Sequence, residues 1–299
     1  MDYPNLSHNT ELSGVDKAGQ SHSEFPDTDK PVIEQPVPQM PEIVPVAPAT
    51  PEAPESRIWK LSDVLIITVI SLVLLFAGLF GGGALLSLFN SAQPIPTKPT
   101  LAISLIAFAA EFVALFIGVW LVMRLRRLSW SQIGFRLLTP RWITGAIGLA
   151  LLVMVAGSLA SYLVAFLVAF LAGQPLTNPQ LPALAPEDLS WAGIVLFVLL
   201  GGLAVPFVEE LLFRGVYYNY LRSHFGVWIA AFASALIFAV VHLDLLVGAT
   251  AFVLGLFNVY AYERSKSLWA SVIVHGLSNA LKLVILYAWL STTMKIPLF

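Results

Sequence analysis

Apolar residues in this chain come in long unbroken stretches, with little alternation between apolar and polar positions. They cover roughly 61–89, 101–123, 142–173, 189–208, 226–243, 247–262 and 268–290. Most of them reach the ~20 residues a helix needs to cross a ~30 Å hydrocarbon core. Backbone groups in lipid must find their partners inside the segment, which leaves helices for runs of this kind. The pattern therefore predicts an all-α fold, a polytopic membrane helix bundle of about seven transmembrane helices.

The first 57 residues break this pattern. They hold ten of the twenty prolines and ten of the eighteen acidic residues, with Tyr3 and Phe25 as their aromatics. A segment so poor in apolar area cannot offset its ordering entropy, so a disordered N-terminal tail is expected over 1–57. The transmembrane domain is expected over 58–299. No basic stretch followed by an apolar run opens the chain, so the first spanning helix is expected to serve as the targeting signal.

Composition agrees with the pattern. The chain is 58% hydrophobic and 11% charged, with a mean hydropathy of +0.81, whereas soluble domains carry about 25% charged residues. A net charge of −2 without a basic patch gives no sign of a nucleic-acid partner. The absence of cysteine excludes disulfides, thiolate catalysis and cysteine-ligated zinc. Basic residues set the orientation. Arg57 and Lys60 precede the first helix, Arg124, Arg126, Arg127, Arg136 and Arg141 follow the second, and Arg222, Arg264 and Lys266 occupy later loops of the same side. The positive-inside rule places the amino terminus in the cytoplasm, which fits a multi-pass protein of the cell membrane. The stretch 124–141, with Trp130, Ile133 and Phe135 among its arginines, reads either as an interfacial segment or as a solvated linker.

Charge inside the apolar stretches is where chemistry is to be sought. Glu209-Glu210-Leu-Leu-Phe-Arg214 follows an uncharged run from Trp191 to Val208. Each such residue costs roughly 2.5 to 3.5 kcal/mol at bilayer depth on insertion scales, so it marks a pair, a catalyst or a transport path. Two further polar groups follow, Phe238-x-x-x-His242 and His275-Gly-Leu-Ser-Asn279. Glu210 and Arg214 are four apart and share a helix face, which predicts a structural ion pair. Glu209, ~100° away around the helix, is left outside that pair. His275 and Asn279 also share one stripe. With a chain reversal near His224, Glu209 and His242 come level on antiparallel helices, at ~22 and ~27 Å from the turn. His275 then joins them only if this hairpin projects ~10 Å into the cytoplasm or tilts. Gly201, Gly202 and Pro206 either kink the helix or let it pack closely. Lys282 lies on nearly the stripe of His275, and Glu111 lies mid-helix, so the two could pair. Asn258 and Asp244 carry weaker signals.

In family order, Glu209-Glu210-Leu-Leu-Phe-Arg214-Gly215, Phe238-Ala-Val-Val-His242 and His275-Gly-Leu-Ser-Asn279 resemble the motifs of the CPBP family. That family comprises the membrane-embedded CAAX prenyl proteases and the bacteriocin-processing or immunity proteins often called Abi proteins. The resemblance covers roughly residues 100–290. It implies that Glu209 activates water with help from His242, that His275 and Asn279 stabilise the oxyanion, and that Glu210 and Arg214 hold the helix of Glu209. It implies either a metal-free mechanism or a divalent metal such as zinc.

The residues support the same scheme. A carboxyl in a low-dielectric pocket titrates nearer neutrality than in water, which suits a general base. A histidine and an asparagine amide supply two donors for a tetrahedral oxygen. Zinc could be held by Glu209, His242 and His275 with water in the fourth position, although His-Glu-x-x-His is absent. The expected partners are the bilayer and a peptide or protein substrate. Two rivals use the same residues: a non-catalytic binder that gives immunity to a peptide, and a proton-coupled transporter.

Overall fold

A computed structural model describes residues 58–89, 99–178, 180–186 and 188–293, so the tail expected over 1–57 lies outside the described residues. Within them the protein is all-helical, without strands. The long elements are α1 (Leu61–Phe89), α2 (Leu101–Arg126), α3 (Pro140–Ala172), α7 (Asn219–Val240), α8 (Leu245–Ser265) and α9 (Leu268–Thr293). Between α3 and α7 come a short turn of helix, α4 (Leu181–Leu184), then α5 (Trp191–Leu199) and α6 (Val205–Leu212). Six stretches are long and apolar enough to cross a membrane.

One of these stretches, Trp191–Val240, is 50 residues long. At ~1.5 Å per residue a straight helix of that length would far exceed a ~30 Å core. Gly226 breaks it, with φ 77° and ψ 176°, a conformation open essentially to glycine alone. The chain folds back there. The Ser234 hydroxyl donates to the Phe213 carbonyl at 3.3 Å, and the rings of Phe213 and Phe238 stack edge-on with centroids 4.7 Å apart. The limbs on either side of Gly226 bring the crossing segments to seven, and the reversal falls two residues from the expected His224.

The first limb is not a uniform helix. Wider π-type turns at Leu200–Ala204 and Phe213–Tyr218 bracket α6, the eight residues that carry both glutamates. Each such turn inserts an extra residue into the ladder and rotates the side chains that follow, a device common at functional sites. Gly202, in the first of these turns, lies against α9. A Cβ there would meet the Ala280 Cα at 3.0 Å. The glycines ahead of the glutamates thus serve close packing, as small residues do between membrane helices.

The hairpin also extends past the start of α1. The Trp59 indole, two residues before α1, donates to the Gly215 carbonyl at 2.6 Å. Residues 216–226, about 16 Å of helix, continue beyond that level. Glu263 near the end of α8 ties this projection down, through the Tyr218 hydroxyl at 2.8 Å and Arg222 at 2.6 Å. The projection is what lets Glu209 meet the early part of α9.

The stretch after α2 is packed against the bundle and is not a plain solvated linker. Ile133 is completely buried. Phe135 packs between Phe207 and Trp269, at centroid distances of 5.5 and 5.0 Å, and Trp130 stacks on Phe116. Its Gly134 carbonyl accepts from the Leu268 amide at 2.8 Å, where α9 begins. The segment closes one end of the bundle over the base of α6 and α9, and its apolar residues explain why.

Candidate functional site

Glu210 is the hub of the buried polar cluster. Its Oε1 accepts from Arg214 Nη1 on its own helical limb at 2.9 Å. Asn258 Nδ2 of α8 donates to the same atom at 2.7 Å, and His275 Nδ1 of α9 approaches it at 2.8 Å. Three helical segments are joined through one carboxylate oxygen. Arg214 is fully buried. Its Nη2 donates to the Gly255 carbonyl at 2.9 Å, and its guanidinium lies 4.9 Å from the Phe238 ring centroid. Gly255 admits this approach, since a Cβ there would crowd Arg214 Nη2 at 3.2 Å and meet Ala235 at 2.9 Å. An unpaired charge in such surroundings would cost several kcal/mol, so pairing is the condition for burying it.

The hub determines how His275 presents itself. A carboxylate oxygen accepts hydrogen bonds, so Nδ1 carries the proton it directs at Glu210. The other nitrogen, Nε2, faces Glu209 Oε2 at 3.5 Å. Glu209 is thus not isolated, although it stands outside the Glu210–Arg214 pair. It occupies the less enclosed edge of the cluster, with a side chain 10% exposed where that of Glu210 is fully enclosed. Arrangements in which one carboxylate orients an imidazole and leaves its second nitrogen for chemistry are familiar from hydrolases and metal sites.

Phe238 links the remaining pieces. Its ring is edge-on to His242 with centroids 5.0 Å apart and edge-on to His275 at 5.6 Å. His242 follows α7 in a turn, and its Nδ1 hydrogen-bonds the Phe238 carbonyl at 2.7 Å. That bond leaves Nε2 as the unprotonated nitrogen of the neutral ring. Neither glutamate forms an ion pair with His242. Asn279, half-buried one turn beyond His275, has no hydrogen bond to the hub. Of the six residues Glu209, Glu210, Arg214, Phe238, His242 and His275, then, His242 joins only through Phe238.

Two residues enter that the sequence pattern had ranked low or placed elsewhere. Asn258 is buried and binds Glu210 directly. Glu111 of α2 lies close enough to Glu209 for the two carboxyls to interact electrostatically. It makes no ion pair with Lys282. Glu209, His242 and His275 are the expected zinc ligands. Among the described residues no three His, Asp or Glu side chains converge as a metal-binding group. As arranged here, these three side chains do not form a zinc-binding set.

Comparison with known proteins adds to this geometry. Residues 191–281 match the family model described as "Type II CAAX prenyl endopeptidase Rce1-like". The matched segment starts at α5 and ends within α9, and so contains Glu209, Glu210, Arg214, His242, Asn258, His275 and Asn279. A curated Bacillus subtilis (strain 168) protein named "Putative membrane peptidase YdiL" is 26% identical over 176 residues, 56% of this chain. The match spans 66% of that relative, just under two thirds of its length. No solved structure gives a significant match. Over residues 191–281 the chain is similar to the Rce1-like family of CAAX prenyl endopeptidases.

Proposed function

We propose that this protein is an intramembrane endopeptidase in which Glu209 activates the water that splits a peptide bond near the cytoplasmic face. The observation that carries the reading is the relay Glu210–His275–Glu209, at 2.8 and 3.5 Å. A family model named for an endopeptidase and a relative named as a membrane peptidase support it.

The chemistry follows from the donors and acceptors present. Glu209 takes a proton from water as the hydroxyl adds to the scissile carbonyl carbon. The π bond of that carbonyl opens, and its electron pair becomes the oxyanion. Glu209 then returns the proton to the nitrogen as the C–N bond breaks, so its carboxylate is regenerated. Removing a base of this kind typically costs 10²–10⁴ in rate. His275, held by Glu210, sets the position of the Glu209 carboxyl and supplies a polar contact beside the reacting carbon. The unprotonated Nε2 of His242 can accept a hydrogen bond from the attacking water, and the Asn279 amide can donate to the oxyanion once substrate enters. Such a donor is worth about 10²–10³ in rate. Arg214 and Asn258 act one step back, because they fix Glu210 and do not touch substrate.

The test is a comparison of membrane proteomes from wild-type and Glu209→Gln strains. One or more membrane precursors should accumulate uncut in the variant and reappear as shorter products when the wild type is restored. Identical precursor profiles would point to the binding-protein alternative, in which the same residues hold a peptide without cutting it.

A further inference from the structure

Leu137, in the stretch that closes the bundle between α2 and α3, is the most exposed large apolar side chain among the described residues, at 98%. It is not on a loose end. The backbone on its amino-terminal side is tied to three other elements. The Gly134 carbonyl accepts from the Leu268 amide at the start of α9, and the Arg136 carbonyl accepts from the Ser267 hydroxyl. The Ile133 carbonyl accepts from Asn219 Nδ2 of the hairpin at 3.4 Å, and the Tyr262 hydroxyl of α8 donates to Asn219 Oδ1 at 3.1 Å. A leucine fixed in this way and left open needs an apolar partner outside the chain.

Its charged neighbours narrow the choice. Arg136 and Arg141 flank it and are exposed, as is Arg127 nearer α2. None of these three guanidinium groups bonds or pairs with a described residue, whereas Arg126 is taken up by Asp63. The amino end of α3 adds partial positive charge there, since Thr139 makes no side-chain cap. Level is fixed by the adjoining apolar spans, which stop at Leu125 and start at Pro140 and Leu268. The stretch therefore lies where hydrocarbon gives way to headgroups. A soluble anion would meet the arginines but leave Leu137 in water. An anion that carries acyl chains meets both.

We propose that this stretch is a binding site for anionic phospholipid, in which Arg136 and Arg141 take headgroup phosphates and Leu137 enters the acyl layer beside them. Bound lipid holds the stretch against the bundle. Through Phe135 it then steadies Phe207, two residues before Glu209, and Trp269, six before His275. The inference does not rest on the peptidase reading, because lipid binding is read without turnover.

The test uses the full-length protein in micelles of an uncharged detergent, with phosphatidylglycerol, phosphatidylcholine or inorganic phosphate added. Thermal stabilisation by each reports its affinity. An arginine near an anionic surface contributes about fivefold in affinity, so wild type should bind phosphatidylglycerol about 25-fold more tightly than phosphatidylcholine. Inorganic phosphate should give no comparable shift. Arg136→Gln/Arg141→Gln should bind the two lipids alike and unfold, without lipid, where wild type does. Arg136→Lys/Arg141→Lys should keep the preference, since a lysine also meets phosphate as a positive charge. Leu137→Asn should weaken phosphatidylglycerol binding about tenfold. Equal affinity of wild type for the two lipids would overturn the assignment. So would a preference that survives in the glutamine variant, undiminished binding in Leu137→Asn, or a phosphate response equal to that of phosphatidylglycerol.

Discussion

Glu210 Oε1 and His275 Nδ1 are 2.8 Å apart, although 65 residues separate them in the chain. The contact joins the limb that bears the glutamates to α9 and fixes the tautomer in which His275 faces Glu209. Two adjacent glutamates thereby acquire different tasks. One is locked into the bundle by Arg214, Asn258 and His275, and the other lies at the less enclosed edge of the cluster.

Loss of either partner of the buried ion pair should destabilise the fold. Glu210→Gln or Arg214→Met strands a charge with no solvent to screen it, a change worth about 3–5 kcal/mol. Thermal denaturation in micelles should show a clearly lowered midpoint for each single variant. The double variant Glu210→Gln/Arg214→Met should recover part of the loss, because neither charge is then left alone.

His242 and His275 should separate by stability. His275 bonds the hub, whereas His242 bonds only a backbone carbonyl within its own turn. His275→Gln is expected to lower both the melting midpoint and the turnover. His242→Gln should leave stability within about 1 kcal/mol of wild type, as a net hydrogen bond is worth, while turnover falls by roughly 10²-fold because Nε2 no longer helps to orient and deprotonate the water. A large stability loss in His242→Gln would show that its role is structural.

The close approach at Gly202 predicts a steric effect on chemistry. Gly202→Val drives a side chain into Ala280 and pushes α9, with His275, away from Glu209. Overpacking of this kind costs about 1–3 kcal/mol, and turnover should fall by at least tenfold. Gly148→Val on α3, where a Cβ meets nothing within 4 Å, is the control and should leave turnover unchanged.

Gly226 should resist replacement for a different reason. Its backbone conformation strains any residue with a Cβ, at about 1–3 kcal/mol, although there is open space around it. Gly226→Ala should lower stability, and increased protease clipping near 216–226 in native membranes would report the loosened hairpin.

How much of this was legible in the chain depends on the range of the interaction. The seven crossings were readable because apolar stretches of 20 residues have one solution in lipid. The Glu210–Arg214 pair was equally readable, since i,i+4 spacing is a local matter. The hairpin turn came out two residues off, because His224 and Gly226 differ in backbone freedom and not in hydropathy. Asn258 was ranked low because a single polar residue in an apolar helix gives no sign of which distant carboxylate it meets. The π-type turns around α6 left no trace in the residue pattern, and they alter which side chains share a face. A pairing of Glu111 with Lys282 was open on charge alone, whereas the group that Glu111 acts on is another carboxyl, Glu209. The stretch 124–141 read as an interfacial segment or a linker because its five arginines mask Ile133 and Phe135 in any average, yet Ile133 is buried and Phe135 packs against Phe207 and Trp269.

The central claim is tested most directly by reconstituting purified wild type and Glu209→Gln in lipid nanodiscs with a precursor found to accumulate in the variant strain. The account predicts cleavage by wild type and a loss of at least about 10²-fold in Glu209→Gln, with unchanged helical content and melting midpoint. Cleavage by Glu209→Gln at the wild-type rate would contradict it.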